Sequence, residues 1–173
     1  MKFKHLLLSF FLILFFTSCG YKPSSYYVKK EIGEKVFVNL LIDLKDPRNA
    51  VLIKDAMNEI LVHRLGSKLV YDRDLADTVM NVKLQSVTLK VLQNDELGYN
   101  KLYKAIVTIA VDYKNKYKNN KESFKVQGDY DFSIDSGTTI TDTRRFEAIK
   151  NAASEALEDV ISTIAVKSFK NKW

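Results

Sequence analysis

The chain predicts an α+β fold, with two helices packed on one face of a mostly antiparallel mixed β-sheet, and three observations carry that expectation. Two long segments, residues 48–65 and 144–164, space their apolar side chains by three and four. Between them three long segments alternate apolar and polar side chains, the mark of strands with one dry and one wet face. The order of these periods along the chain is β-α-β-β-β-β-α. A helix with one apolar stripe and a strand with one apolar face must each find a partner. Two helices laid on one side of a sheet satisfy both at once.

The first strand is expected at Val36 to Ile42, a β-rich run. Asp46-Pro47 ends it and prepares a helix, whose stripe is Ala50, Ile53, Met57, Ile60, Leu61 and Leu65. Gly66 stands where a left-handed cap closes such a helix. Leu69-Val70-Tyr71 is a short strand, followed by a turn at Asp72-Arg73-Asp74. Met80, Val82 and Leu84 then form one apolar face, but Val87, Leu89 and Val91 have the opposite parity. A bulge near Ser86 keeps both halves on one core, and a sharp bend there would serve as well. Gln93 to Gly98 is a polar loop.

Tyr103, Ala105, Val107, Ile109, Val111 and Tyr113 line the dry face of the next strand. Residues 118–121 turn the chain, and Phe124, Val126, Gly128, Tyr130 and Phe132 continue that face on a third strand. Ser136 to Thr139 is loop, and Thr141, Asp142 and Thr143 are all able N-caps. The closing helix presents Phe146, Ile149, Ala153, Ala156, Leu157, Val160, Ile161 and Ile164 on one stripe. Ala152, Ala153 and Ala156 are small enough to let it approach the sheet closely. The tail from Lys167 to Trp173 is expected to fray.

The amino terminus reads as an export signal. Lys2 and Lys4 precede an apolar run of 11 residues, Leu6 to Phe16, interrupted only by Ser9. A spanning helix needs about 20 residues, so the run suits the core of a signal peptide and not a membrane anchor. Thr17 and Ser18 are small, and Cys19, the single cysteine of the chain, follows. Phe16-Thr17-Ser18-Cys19 resembles the lipobox of bacterial lipoproteins. That resemblance implies cleavage before Cys19, with a diacylglyceryl and an N-acyl chain on that residue. Two signals are needed for firm anchoring, because one acyl chain binds only marginally. Gly20 in place of Asp implies, by resemblance to sorted lipoproteins of enteric bacteria, the outer membrane. The expected organisation is residues 1–18 as signal, 19–35 as lipidated terminus and polar tether, and 36–173 as one domain.

Removal of residues 1–18 leaves 155 of the 173 residues, enough for a proper core without disulfides or metals. Lys2 and Lys4 go with the signal, so 25 of the 27 basic side chains face 21 acidic ones. The net charge of the mature part is then +4, which suits an anionic partner without demanding one. Nucleic acid is excluded as a partner by the export signal.

Catalytic signals are scarce, and an enzyme is not expected. His63 lies outside the apolar stripe of its helix, and His5 leaves with the signal, so no set of His and Cys has zinc-ligand spacing. Neither a nucleophile elbow nor a P-loop nor a dinucleotide fingerprint is present. Asp72-x-Asp74-x-x-Asp77 fails as a calcium loop, with Asp77 where Gly belongs and Lys83 where Glu belongs. Asp129 and Asp131 fall on the wet face of a strand and Asp135 beyond it, where they read as solvated charge. Lys114, Lys116, Lys118 and Lys121 crowd the second hairpin, where lysine keeps a sheet edge soluble. Lys90, Lys101 and Lys104 flank the first long loop. Arg144 and Arg145 open the last helix, against the sense of its dipole, which makes sense if those guanidiniums meet phosphates.

Cys19-Gly20-Tyr21-Lys22-Pro23, a strand, a helix, Ala76-Asp77 leading into a long hairpin, a third strand and a closing helix together resemble the lipopolysaccharide-assembly lipoprotein family, LptE. The resemblance spans essentially the whole mature chain and rests on order and spacing more than on identities. It implies a non-catalytic lipoprotein, held by its lipid on the periplasmic side of the outer membrane. It also implies no cofactor beyond the covalent lipid. The partners implied are an LptD-like outer-membrane β-barrel, which the lipoprotein plugs and stabilises, and lipopolysaccharide itself. Family ligand contacts near the first hairpin loop and before the last helix fall here on Gln93 and on Thr141 or Asp142. The neighbouring cations Lys90, Lys101, Arg144 and Arg145 are therefore the lipopolysaccharide-binding candidates. The competing expectation is a periplasm-facing adaptor or activator of a cell-wall synthase or envelope ABC transporter.

Overall fold

The computed structural model describes residues 23–42, 47–118, 120–135 and 137–170. The signal segment, Cys19 and the residues up to Lys22 lie outside the described residues, as do Asp46, Asn119, Ser136 and the tail from 171 to 173. Along the chain come α1 (Ser24–Ile32), β1 (Lys35–Ile42), α2 (Pro47–Arg64), β2 (Lys68–Leu69), β3 (Thr78–Asn94), β4 (Asn100–Asn115), β5 (Asn120–Ser133) and α3 (Asp142–Lys170). The five strands form one sheet in the order β2-β1-β3-β4-β5. β1 runs parallel to β2 and β3, and the long β3, β4 and β5 form an antiparallel meander. Parallel pairing of β1 with β3 needs a crossover, and α2 supplies it. This is the mixed α+β sheet that the periods predict.

The dry face of the sheet carries Val36, Leu40, Met80, Val82, Leu84, Ala105, Val107, Ile109, Val111 and Tyr113, all buried. Ile53, Met57 and Leu61 from α2, and Leu65 just after it, are fully buried in the same core, as are Ala156, Leu157, Val160 and Ile164 from α3. The parity change in β3 is a bulge: its register against β4 shifts between Leu84 and Ser86, and Val87 and Leu89 still pack on the core. Gly66 has φ +70°, the left-handed cap expected after α2. Thr141 caps α3, its hydroxyl accepting the Arg144 N–H at 3.3 Å.

Three features depart from the sequence-based expectation. The stretch after Pro23, read as a polar tether, forms helix α1, whose Val28 and Ile32 are fully buried. Burying one such side chain contributes about 1.5–3 kcal/mol, so α1 belongs to the domain and packs against α3. Secondly, the end of α3 does not fray at Lys167. Its ammonium pairs with Glu122 at 2.6 Å, Ser168 is buried, and Phe169 lies 4.4 Å from the Tyr27 ring. Thirdly, the short strand after Gly66 is Lys68–Leu69, one residue earlier than expected and without Tyr71, which is almost wholly exposed.

α1 is fastened to the open end of the sheet by a buried carboxylate. Glu31 is 1% exposed, and Lys118 reaches it at 2.9 Å while also donating to the Lys30 carbonyl at 2.8 Å. The Tyr113 hydroxyl donates to Glu31 at 3.3 Å, and the Asn115 amide donates to its backbone carbonyl at 3.0 Å. Burial, and after it the charge of Glu31, holds the Tyr113 phenol well above its ordinary range, so it remains a donor. Asp77 fixes the neighbouring turn, its Oδ2 accepting the N–H groups of Glu34 and Lys35 at 2.9 Å each. Among the described residues no helix is long and apolar enough to cross a membrane.

Candidate functional site

The acidic clusters resolve into structural roles. Asp72 accepts the Asp74 N–H at 2.8 Å, an Asx turn, and Asp77 is held by the backbone of β1. Asp129 and Asp131 both pair with Lys104, the second at 3.2 Å. Their hydrogen bonds, Asp129 first, raise the Lys104 pKa above its ordinary value, so the ammonium is firmly protonated at neutral pH. No group of three or more His, Cys, Asp or Glu among the described residues is placed to hold a metal. His63 is exposed on α2, as its position off the stripe predicts.

The basic candidates fall at one end of the molecule, but on two sides of the sheet. β3 and β4 meet there in the tip Asp95–Tyr99, where Asp95 Oδ1 accepts the N–H groups of Leu97 at 3.0 Å and Tyr99 at 2.8 Å. Lys101 opens β4 beside this tip and helps line a hollow of about 430 Å³ with Gln93, Asn94, Asp95, Glu96 and Leu97. Its backbone carbonyl accepts the Ile134 N–H at 3.0 Å, which ties the segment leading into α3 to the same end. Arg144 and Arg145, in the first turn of α3, are both exposed there, with Glu147 a distant 3.7 Å from Arg144. Lys90 is different. It stands opposite Lys104 in the β3–β4 register, on the face turned away from α3, so the sheet separates it from the two arginines.

Sequence reasoning missed the apolar part of this end. Leu97 is 81% exposed and Tyr99 55%, and Leu92 is also exposed on the last stretch of β3. An exposed apolar tip beside cations makes this end of the molecule amphipathic. The one available signal was a Leu and a Tyr inside an otherwise polar loop. The wet face is also less polar than the alternation implies. Phe37 pairs with Val79 across β1 and β3, and Leu41 and Ala110 flank Lys83. The lysines of the second hairpin are likewise more than solubilising: Lys118 holds Glu31, and Lys116 donates to the Arg73 and Asp74 carbonyls at 3.0 Å each.

Comparison of the sequence with curated proteins finds no match. Among solved structures the chain is similar to rare lipoprotein B from Shewanella oneidensis, at a TM-score of 0.54 and 16% identity. That match covers 79% of this chain and 99% of the other. It is also similar to a putative lipoprotein from Caulobacter crescentus, at a TM-score of 0.49 and 11% identity, over 87% and 98% of the two chains. At such identities the first of these speaks for the fold alone, and the sheet and helices described above agree with it. The model of the lipopolysaccharide-assembly family LptE matches residues 37–164, from the first strand to the last turns of α3. With three quarters of its length matched, the chain belongs to the LptE lipopolysaccharide-assembly family.

Proposed function

We propose that this protein is an outer-membrane lipoprotein, anchored through acyl chains on Cys19, that plugs and stabilises an LptD-like β-barrel. In that place it assists assembly of lipopolysaccharide without bond chemistry. The family match over residues 37–164 is the observation that carries this reading. The geometry supports it in two ways. The mixed but largely polar face of β1, β3, β4 and β5 suits the water-lined interior of a barrel. The end bearing Lys101, Arg144 and Arg145 with exposed Leu97 and Tyr99 offers both cations and apolar surface to a phosphorylated lipid. Guanidiniums bind phosphate oxygens in pairs, and the positive end of the α3 dipole adds to their potential. Lys90 supplies a further cation on the opposite face.

Binding of purified lipopolysaccharide tests the site. Reversal of Lys101, Arg144 and Arg145 to Glu together is expected to weaken binding by about tenfold or more at low salt. That is the scale of losing one or more charged hydrogen bonds. The difference should shrink at high salt, where exposed charges are screened. Lys90→Glu alone should cost less. Unchanged affinity in the triple variant removes this end from the lipid site.

A further inference from the structure

The end of the sheet opposite the Asp95–Tyr99 tip carries a second cationic surface. The strand register sets Lys114 directly opposite Lys121 on β4 and β5, with Val79 beside Lys114 on β3. Like charges placed opposite each other on one face of an antiparallel pair are destabilising. Neither lysine makes an ion pair among the described residues. Arg73 and Lys116 join them around a hollow of about 480 Å³, whose one acidic lining residue is Asp112. Lys116 spends two of its three N–H donors on the Arg73 and Asp74 carbonyls, which clamps the loop before β3 against the β4–β5 turn. The same two segments project three apolar side chains into solvent: Tyr71 at 97%, Tyr117 at 82% and Leu75 at 61% exposure. Cations around a hollow with Tyr and Leu at its margin are the composition of a membrane-interface contact.

The chain itself arrives on this side of the domain. Ser25 sits against Gly66, two residues before β2, and the last turn of α1 is held by Lys118 in the β4–β5 turn. From Pro23 back to Cys19 the backbone spans at most roughly 14 Å. A lipid on Cys19 therefore keeps this end, and not the Asp95–Tyr99 tip, near the leaflet that receives the acyl chains.

We propose that this end of the sheet rests on an anionic phospholipid surface, with headgroup phosphates received by Arg73, Lys114, Lys116 and Lys121 and with Tyr71, Leu75 and Tyr117 entering the interfacial layer. The contact is a second attachment that orients the domain on its anchor. It rests on the Cys19 reading only for the choice of leaflet, since the surface itself lies wholly on described residues. Asp72 and Asp74 share the loop with Arg73 and oppose the contact, so their neutralisation strengthens it.

The test uses the chain from residue 19 with Cys19→Ser, which retains the whole described fold and carries neither signal peptide nor acyl chains. Co-sedimentation is measured with vesicles of phosphatidylethanolamine alone and of phosphatidylethanolamine with phosphatidylglycerol. Binding is expected on the phosphatidylglycerol vesicles only, falling as salt is raised. Lys114→Glu with Lys121→Glu should lower it by about tenfold or more. Tyr71→Ser with Tyr117→Ser should lower it as well, and Asp72→Asn with Asp74→Asn should raise it. Lys54→Glu with Lys150→Glu, exposed on α2 and α3 and outside both lipid surfaces, should leave it unchanged. Circular dichroism on each variant confirms that the fold is kept. Absence of binding to phosphatidylglycerol vesicles overturns the proposal, and so does equal loss when Lys54 and Lys150 are reversed. Because the assay holds neither barrel nor lipopolysaccharide, its failure leaves the barrel-plug reading standing, and failure of that reading leaves this one.

Discussion

Gly128→Ala is expected to destabilise the domain by about 3 kcal/mol or more, the upper range for overpacking a core. Gly128 lies in the middle of β5, where α3 crosses the sheet. A Cβ there would meet the Ala152 carbonyl oxygen and the Ala156 nitrogen, each at 2.3 Å. Both are backbone atoms, so no rotamer change relieves the clash and the helix itself must shift. In an unhindered strand the same substitution would stabilise by about 0.4–1 kcal/mol through the unfolded chain. Steric exclusion wins by a wide margin. For a domain of this size the midpoint of thermal unfolding should fall by roughly 6–12 °C. Adding Ala156→Gly should not restore it, because that change removes a side chain and the obstruction is main chain. Recovery in the double variant would show that side-chain crowding, and not the approach of the helix axis, limits this contact.

Lys118→Leu should cost about 2–3 kcal/mol, which is somewhat below the usual price of breaking a buried ion pair because Lys118 keeps 39% of its side chain exposed. The loss arises at Glu31. Its carboxylate is 1% exposed and would lose the ammonium 2.9 Å away, while the Lys30 carbonyl would lose its donor. Chemical denaturation measures the cost. Lys118→Leu combined with Glu31→Gln should recover part of it, since a neutral amide needs no counter-ion. Hydrogen exchange should show the damage concentrated in α1, because Glu31 is where that helix meets the sheet. An α1 that exchanges no faster than in the parent protein would mean that Val28, Ile32 and the Tyr27–Phe169 contact hold it unaided. The functional consequence follows from position. α1 is the first described element after Cys19, so under the proposal that Cys19 carries the lipid, loosening α1 loosens the link between anchor and domain.

The pattern of residues carried the sheet and the two long helices well, for a physical reason. Alternation and helical spacing report directly which face is dry, and the β3 bulge announced itself when Val87, Leu89 and Val91 changed parity after Leu84. Helix α1 was hidden for an equally physical reason. Its buried positions are Val28, Glu31 and Ile32, so a charged residue interrupts the apolar stripe. That charge is tolerable because Lys118 and the Tyr113 hydroxyl, both far away in sequence, meet it after folding. Tyr26, Tyr27 and the serines before them favour strands and caps and gave no helical signal. The tail was misjudged in the same way, since Glu122 and Tyr27 retain Lys167 and Phe169 through tertiary contacts.

At the candidate site, residue type was legible and position only partly so. Four cations could be named from composition and order, but the side of the sheet on which each stands depends on register and bulge. Lys90 faces away from α3 because the shift at Ser86 reverses the parity of everything after it. Leu97 and Tyr99 were invisible as surface features, because only the turn built on Asp95 shows that they project outward. The lysines of the second cationic surface were legible as a crowd on the second hairpin, but Arg73 joins them only through the clamp at Lys116.

The most direct measurement is the identity of what stays bound when the protein is tagged in its own cells, extracted from the envelope in mild detergent and purified. The account predicts a large outer-membrane β-barrel in stable stoichiometry, and loss of surface lipopolysaccharide when the protein is depleted. Recovery of a peptidoglycan synthase or an ABC transporter component in place of a barrel, with lipopolysaccharide still reaching the surface, would contradict it.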